Sequence, residues 1–519
     1  MLTTVEALDD GRLADRRAGW VTAATIGAMA LVLRLVGLGF PRTIMFDETY
    51  YAKDAYSIMR LGWEAQWKGE GDVVNKAFAD GDFSALSTDP SFIVHPPLGK
   101  LLIGWGAELF NWSAFGWRFS AAVFGALMVF LVVRLARRLA RSTLVGAIAG
   151  LLVTFDGLAF VMSRIALLDI FQATLAVAAV AALAADRDWF RNRLADHLRR
   201  HDLIDLGGRF GPLFWWRPWR VLAGLLFGLS CAVKWNTIYV LAVFGVVAVL
   251  WDLGARRLAG AGRRSWLSLL TDAPAAFVQL VVVAVPAYLV TWYRWLTMPG
   301  GYDRDWGGKN PDSPLVRWFG EALGSLFEYH RAMFAFHTGD GMKEATHPYE
   351  GHPAGWLVMA RPIGIYAENG INPPDQGCQA VGTTCLRVIT AMGTPLLWWM
   401  AALALLAGLW FWLAHRDWRF AVPVLGVLSV WLPWFQYADR PLFFFYAIML
   451  LPFYAIGLAM VMGRLLGPAN GPGRRIRAMG VGIAVALIIV NFAFILPVLT
   501  ARLMTRPEWL ARMWFGTWI

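Results

Sequence analysis

Charge is what this chain has least of: 16% of its 519 residues are charged, against 58% that are hydrophobic, and the mean hydropathy is +0.51. That deficit excludes an ordinary soluble domain and makes the chain a multi-pass membrane protein. Cysteine is nearly absent too, and three residues cannot build a disulfide framework. Cys231 lies inside an apolar run. Cys378 and Cys385 lie in a polar stretch, DQGCQAVGTTCLR, where either two free thiols or, on an oxidising face, one disulfide is open. The first residues, MLTTVEALDDGRLADRRAGW, lack the short apolar core and small-residue cleavage site of a secretory signal, so the first hydrophobic helix is expected to be retained. No internal repeat is visible.

Tryptophan, by contrast, is abundant, with 28 residues, which suits the two bilayer interfaces, where an indole buries its ring and keeps its N–H wet. The net charge of +11 falls in short clusters between apolar runs. It therefore reports topology and not a nucleic-acid partner. Segments at 19–39, 118–138, 143–163, 165–185, 219–234, 236–252, 273–295, 395–414, 419–435, 441–463 and 478–498 give about eleven crossings at ~20 residues each. With a cytoplasmic N-terminus, the clusters Arg134 to Arg141, Arg187 to Arg200, Arg256 to Arg264 and Arg464 to Arg477 all fall on the cytoplasmic side. The opposite face receives two long loops, 40–117 and 296–394. In the first, PPLGKLLIGWGAELF reads as a helix lying in the interface; the second has room for short elements and no separate soluble domain.

An ionisable group at membrane depth costs at least ~2.5–3.5 kcal/mol at a helix centre, so each needs a reason. Asp47 and Glu48 follow the first span, Arg118 opens the second, Arg164 and Asp169 sit at the third turn, and Lys234 sits at the turn before the sixth span; Asp439 and Arg440 precede the tenth. Local explanations exist: Asp47 as a helix cap, Arg164 paired with Asp169, Lys234 snorkelling to the interface. Together, however, these charges gather at the outer helix ends. A carboxylate suits a general base acting on a hydroxyl, and Arg and Lys suit a phosphate. A phosphate leaving group needs cations and no proton. The set fits transfer of a group from a lipid phosphate to a hydroxyl.

The strings FDETYYAKDA, VHPPLGKLLIGWGAELF, SRIALLDIF, GLSCAVKWNTIY, THPYEGHPAGWLVMARPI and RPLFFFYAIMLLPF, in this order from Phe40 to about Phe453, resemble the protein O-mannosyltransferases. The resemblance implies an all-α polytopic enzyme of the C-type glycosyltransferase (GT-C) fold, with its active site on the extracytoplasmic side of the plasma membrane. It would move mannose from a polyprenyl phosphate to Ser or Thr hydroxyls of exported proteins arriving from the Sec translocon. By the same match Asp47 and Glu48 are catalytic, with Asp47 the expected base. Arg118, Arg164 and Lys234 are candidates for the donor phosphate, and His95, Asp169, His347 and Glu350 for shaping the site. The expected course is a single displacement with inversion, giving an α-mannoside from a β-linked donor. Eukaryotic relatives carry a β-trefoil insertion that the second loop is too short to hold. The chain therefore resembles a bacterial member, and its high Arg, Ala and Gly usage suits an actinobacterial genome.

No cofactor is implied. Relatives of this fold differ in their use of a divalent metal, and His330, His337, His347 and His352 lack zinc-site spacing. Two other functions compete: a GT-C transferase with a lipid or glycan acceptor, such as an aminoarabinose transferase, and a lipid-linked sugar flippase. The HPYE loop and HPPLGK speak against the first. Charges at helix ends, without repeated halves or midplane polar groups, speak against the second.

Overall fold

Inside a bilayer every backbone N–H and C=O must find an internal partner, so long apolar runs can only become helices. The computed structural model describes residues 4–8 and 15–519. We number its principal helices α1 (Arg16–Leu35), α2 (Glu48–Leu61), α3 (Leu98–Phe110), α4 (Ala114–Ala140), α5 (Thr143–Thr154), α6 (Gly157–Met162), α7 (Asp169–Arg200), α8 (Pro218–Cys231), α9 (Thr237–Leu258), α10 (Ser265–Thr297), α11 (Pro314–Thr338), α12 (Pro395–Leu413), α13 (Trp418–Tyr437), α14 (Leu451–Leu466) and α15 (Arg474–Leu499). Among the described residues, eight helices are long and apolar enough to cross a membrane: α1, α4, α7, α9, α10, α12, α13 and α15. The apolar α5, α8 and α14 are shorter. Each of the eleven expected segments overlaps helix, but the third is divided between α5 and α6, and in the tenth, expected from 441, the α-helix begins only at Leu451, after a 3-10 turn at Phe444–Met449.

The differences have local causes. The third segment breaks at Phe155–Asp156 because the buried Asp156 carboxylate caps α6 through Ala159 N (2.9 Å) and also takes Thr394 N (3.0 Å) and Trp398 Nε1 (2.8 Å). The fourth segment continues well past its expected end at 185. An Ala-rich run without Gly or Pro keeps α7 helical for 32 residues, about 48 Å. Beyond the apolar part, Asp186 of α7 and Asp252 of α9 share Arg217 and Arg220 in a buried cluster at 2.6–3.0 Å.

The loop 40–117 holds α2, α3 and a two-stranded antiparallel pair, β1 (Ala65–Trp67) with β2 (Leu86–Pro90). The helix expected in the interface is α3. It exposes Trp105 and Leu109, but its Lys100 is buried and bonds Glu64 at 2.6 Å. The loop 296–394 is less fragmentary than expected, since it carries the 25-residue α11, kinked at Gly320 (φ +80°). It also carries the hairpin β3 (Ile363–Ile371) and β4 (Cys385–Ala391), extended by β5 (Met504–Thr505) in the order β3-β4-β5.

A disulfide joins Cys378 to Cys385 across the hairpin tip, seven residues apart in sequence. Closing so small a loop restricts the unfolded chain by about 2–3 kcal/mol. Cys378→Ser is therefore expected to open the 372–384 tip to limited proteolysis while the helical bundle melts unchanged.

Candidate active site

Three helices show why the site forms at one end of the bundle. Helix α4 starts near Arg118 and ends in Arg137 and Arg138; α7 starts at Asp169 and ends in Arg199 and Arg200; α9 starts just after Lys234 and ends in Arg256 and Arg257. Their other ends meet beneath the two large loops, and the acidic pair of α2 is delivered there by the turn that follows α1.

The two adjacent carboxylates have opposite surroundings. Glu48 is fully buried. Its Oε1 accepts Arg118 Nε (2.7 Å) and Ala166 N (3.0 Å), and its Oε2 accepts Arg118 Nη2 (2.8 Å) and Met45 N (3.0 Å). Asp47, at the N-cap of α2, accepts no capping hydrogen bond, and among the described residues its carboxylate has no hydrogen-bond or ion-pair partner. Burial pushes the Asp47 carboxyl up to about 6; the Lys234 ammonium pulls it down and the Asp169 carboxylate pushes it up further. The local explanation of Asp47 as a side-chain helix cap is thereby excluded. What remains is a basic carboxylate left open.

Lys234 points at the same space. Its Nζ bonds both carboxylate oxygens of Asp169 (2.9 and 2.8 Å) and lies 5.5 Å from the Tyr446 ring centre. Asp169 thus pairs with Lys234 and not, as a local pairing would have it, with Arg164. Arg164 instead reaches back to the end of α1, donating Nη1 to the carbonyls of Arg34 (2.6 Å) and Val36 (2.7 Å) and Nη2 to that of Gly37 (2.9 Å). It lines a small cavity with Phe40, Met45, Ile165 and Ile389.

Arg118 differs from its expected place at the donor phosphate. Its guanidinium is fully buried, and besides Glu48 it serves the carbonyls of Leu38 (3.4 Å), Pro41 (2.8 Å) and Thr43 (2.7 Å). All five N–H groups are spent, so Arg118 has none left for a phosphate. Glu48, equally saturated, is an anchor in this geometry and has no lone pair open to substrate.

His95 is brought to the pocket: its ring lies 6.3 Å from Tyr51 and stacks on His337 at 5.3 Å. Burial, with the nearby Lys234, His337, Lys100 and Arg440 cations or rings, keeps it well below the ordinary histidine range and hence neutral. His337 has its Nε2 on Val94 O (2.9 Å), and Arg440 donates to His337 O (3.0 Å). His347 and Glu350 lie on the rim, outside this cluster. They close the HPYE turn: His347 Nδ1 accepts Tyr349 N (3.1 Å) and Glu350 Oε2 accepts His347 N (3.4 Å). From there the His347 ring packs edge-on against Phe443, 4.9 Å away.

The site also holds Tyr51, His337 and Tyr446, which the sequence-derived set lacks, and Arg440, which the sequence marked only as a charge at an outer helix end. Tyr51 carried a signal, being one helical turn after Asp47. His337, Arg440 and Tyr446 come from distant segments and carried none beyond Arg440's place at the entry to a span. Among the described residues no three His, Cys, Asp or Glu side chains are grouped to hold a metal ion.

The family model for dolichyl-phosphate-mannose-protein mannosyltransferase matches residues 107–193, and that for the C-terminal four-TMM region of protein-O-mannosyltransferase matches residues 322–518. A polyprenol-phosphate-mannose--protein mannosyltransferase of Mycolicibacterium smegmatis is 36% identical, covering 97% of this chain and 94% of its own. One of Corynebacterium glutamicum is 32% identical, covering 96% and 93%. The solved S. cerevisiae protein O-mannosyltransferase Pmt1-Pmt2 complex bound to the sugar donor superposes with a TM-score of 0.70 at 13% identity, over 97% of this chain and 93% of that one. At that identity the likeness establishes the fold, which is GT-C. Similarity over nearly the full length of curated relatives, with family models matching both halves, means that this chain belongs to the protein O-mannosyltransferase family.

Proposed function

We propose that this protein transfers mannose from a polyprenyl phosphate to Ser or Thr hydroxyls of exported polypeptides, at the extracytoplasmic face of the plasma membrane, with Asp47 as the base. The observation that carries this reading is an open, raised-pKa carboxylate beside a lysine held by its own carboxylate partner. Asp47 takes the proton of the acceptor hydroxyl, whose oxygen attacks the anomeric carbon. The bond from that carbon to the phosphate oxygen breaks, and the electron pair leaves with the polyprenyl phosphate. Lys234 and Arg440 hold its growing charge, while Arg164 is tied to the carbonyls at the end of α1 and lines a separate small cavity. Glu48 and Arg118 tie α2 to α4 and to the turn at Ala166, and so aim Asp47. With Glu48 saturated, one carboxylate is free for chemistry, which favours single displacement with inversion over a covalent glycosyl-enzyme.

The names of the relatives support the donor and the protein acceptor. The Cys378–Cys385 disulfide supports an oxidising compartment for the site's side, and the basic ends of α4, α7 and α9 support a cytoplasmic opposite side. Acceptors emerging unfolded from the Sec translocon would present hydroxyls that a folded protein hides.

The test is mannose transfer by the purified protein from synthetic polyprenyl phosphate mannose to a Thr-rich peptide. Transfer to a lipid or glycan acceptor and not to the peptide would overturn the acceptor class. A second expectation concerns the phosphate. Lys234→Gln removes one charge-assisted contact, about 2 kcal/mol or roughly thirtyfold, and is expected to appear as a raised KM for the donor with the peptide KM unchanged. Because Lys234→Gln alone also strands Asp169, the Lys234→Gln, Asp169→Asn pair should show the same donor defect with better stability.

A further inference from the structure

Three groups beside the pocket keep hydrogen-bonding capacity that the chemistry at Asp47 does not use. Tyr51 and Asp54 follow Asp47 at four and seven residues along α2, a spacing that puts all three on one helix face. Tyr50, turned to another face, is exposed. His95 borders the strip, its ring 6.3 Å from that of Tyr51. Among the described residues the Tyr51 hydroxyl, the Asp54 carboxylate and the His95 ring have no hydrogen-bond partner.

Asp54 is left open by the way its neighbours are paired. The buried Lys100 Nζ gives its short bond to Glu64 (2.6 Å) and a longer one to His95 O (3.3 Å), and it approaches Asp54 only to 3.8 Å, beyond hydrogen-bond length. Glu64 therefore neutralises the ammonium, and Asp54 is a surplus carboxylate with its lone pairs unspent. Burial pushes the Asp54 carboxyl up to about 7, with Lys100 pulling it down and Glu64 pushing it further up. A largely buried acid in this state gains from a ligand that brings donors to it.

Sign and spacing define that ligand. Two carboxylates around one ammonium repel a phosphate, which belongs at the Lys234 and Arg440 end of the pocket; the Asp54 end suits neutral O–H donors. Asp54 lies about 10 Å from Asp47 along the axis of α2. That leaves room for one hexose between the attacking oxygen at Asp47 and a hydroxyl at the far edge of the ring. Between these two ends the Tyr51 hydroxyl and the neutral His95 imidazole can each donate and accept. A row of unspent groups of this kind matches the row of hydroxyls on a sugar.

We propose that Asp54 accepts a hydroxyl of the transferred mannose and, with Tyr51 and His95, reads the sugar of the donor. Lys100 is the positioning residue, because it holds Glu64 and the His95 carbonyl and sets the charge that Asp54 feels. The inference rests on the reading above of Asp47 as the base and mannose as the transferred group.

The experiment compares synthetic polyprenyl phosphate mannose with its monodeoxy analogues, each lacking one of the ring's free hydroxyls, in wild type and Asp54→Ala. Transfer of mannose from the parent donor by wild type is measured first; its absence would overturn the mannose reading itself and this inference with it. In wild type, removal of the hydroxyl that Asp54 holds is expected to lower kcat/KM about tenfold to a hundredfold, the range for a hydrogen bond to a charged group. Asp54→Ala should lose a similar factor on the parent donor, keep the peptide KM, and no longer discriminate against that one analogue while still discriminating against the others. Asp54→Asn, which keeps the shape and the fold, should show the same pattern with a smaller loss. An equal loss on every donor in both variants would make Asp54 structural and overturn the proposal. A raised peptide KM with donor discrimination intact would overturn it as well, because the strip would then hold the acceptor.

Discussion

Asp47→Asn is expected to lower mannose transfer by a factor on the order of a hundred or more while donor binding stays as in the wild type. The substitution keeps the shape of the side chain and removes its basicity, and no hydrogen bond among the described residues depends on the Asp47 carboxylate, so the fold has little to lose. The same group predicts a pH profile. Burial, opposed by Lys234 and reinforced by Asp169, brings the Asp47 carboxyl up to about 6. The base is the deprotonated form, so kcat/KM should be flat above pH about 6 and fall about tenfold per unit below it. In Asp47→Asn that acidic limb should vanish from the residual rate. Because the Lys234 ammonium pulls the Asp47 carboxyl down, Lys234→Gln should move the limb to higher pH. Turnover of Asp47→Asn equal to wild type would return Asp47 to a structural role.

Glu48→Gln should act differently, through stability. Glu48 and Arg118 are both fully buried and bidentately paired. A neutral partner leaves the guanidinium as an uncompensated buried charge, at a cost of about 3–5 kcal/mol. The expected result is a clear drop in the melting temperature of the detergent-solubilised protein, with transfer lost in proportion. Arg118→Lys should not rescue the site, since an ammonium cannot span two carboxylate oxygens and three backbone carbonyls. The Glu48→Gln, Arg118→Met double variant should be less destabilised than the two single changes added together. Should Glu48→Gln melt like wild type and still lose turnover, Glu48 would belong to the chemistry and not to the anchor.

The contrast between Asp47 and Glu48 shows where reading the sequence stops. Adjacent residues of one charge, after one helix, look equivalent; the backbone turn sends one carboxylate inward to Arg118, Met45 N and Ala166 N and leaves the other at the pocket. Arg118 and Lys234 likewise looked alike as cations at outer helix ends. Arg118 is saturated because three carbonyls of the 38–43 turn converge on it, a feature of backbone path that no side-chain pattern encodes. His347 and Glu350 were legible as a polar motif, but the motif closes a rim turn. The place of α11 was hidden for a related reason: its His337 is held by Val94 O and by Arg440, both far away in sequence.

The amino-acid sequence alone determined the membrane setting, the eleven apolar segments and the end of the bundle at which charge collects, because the energetic cost of polar groups in lipid acts on composition and order and needs no tertiary detail. Which of the collected charges are spent on one another and which stay open was decided only by the tertiary structure. Hydrogen-bond saturation depends on ångström-scale convergence of segments as far apart as Glu48, Arg118, Ala166 and Lys234, and that convergence exists only in the packed fold.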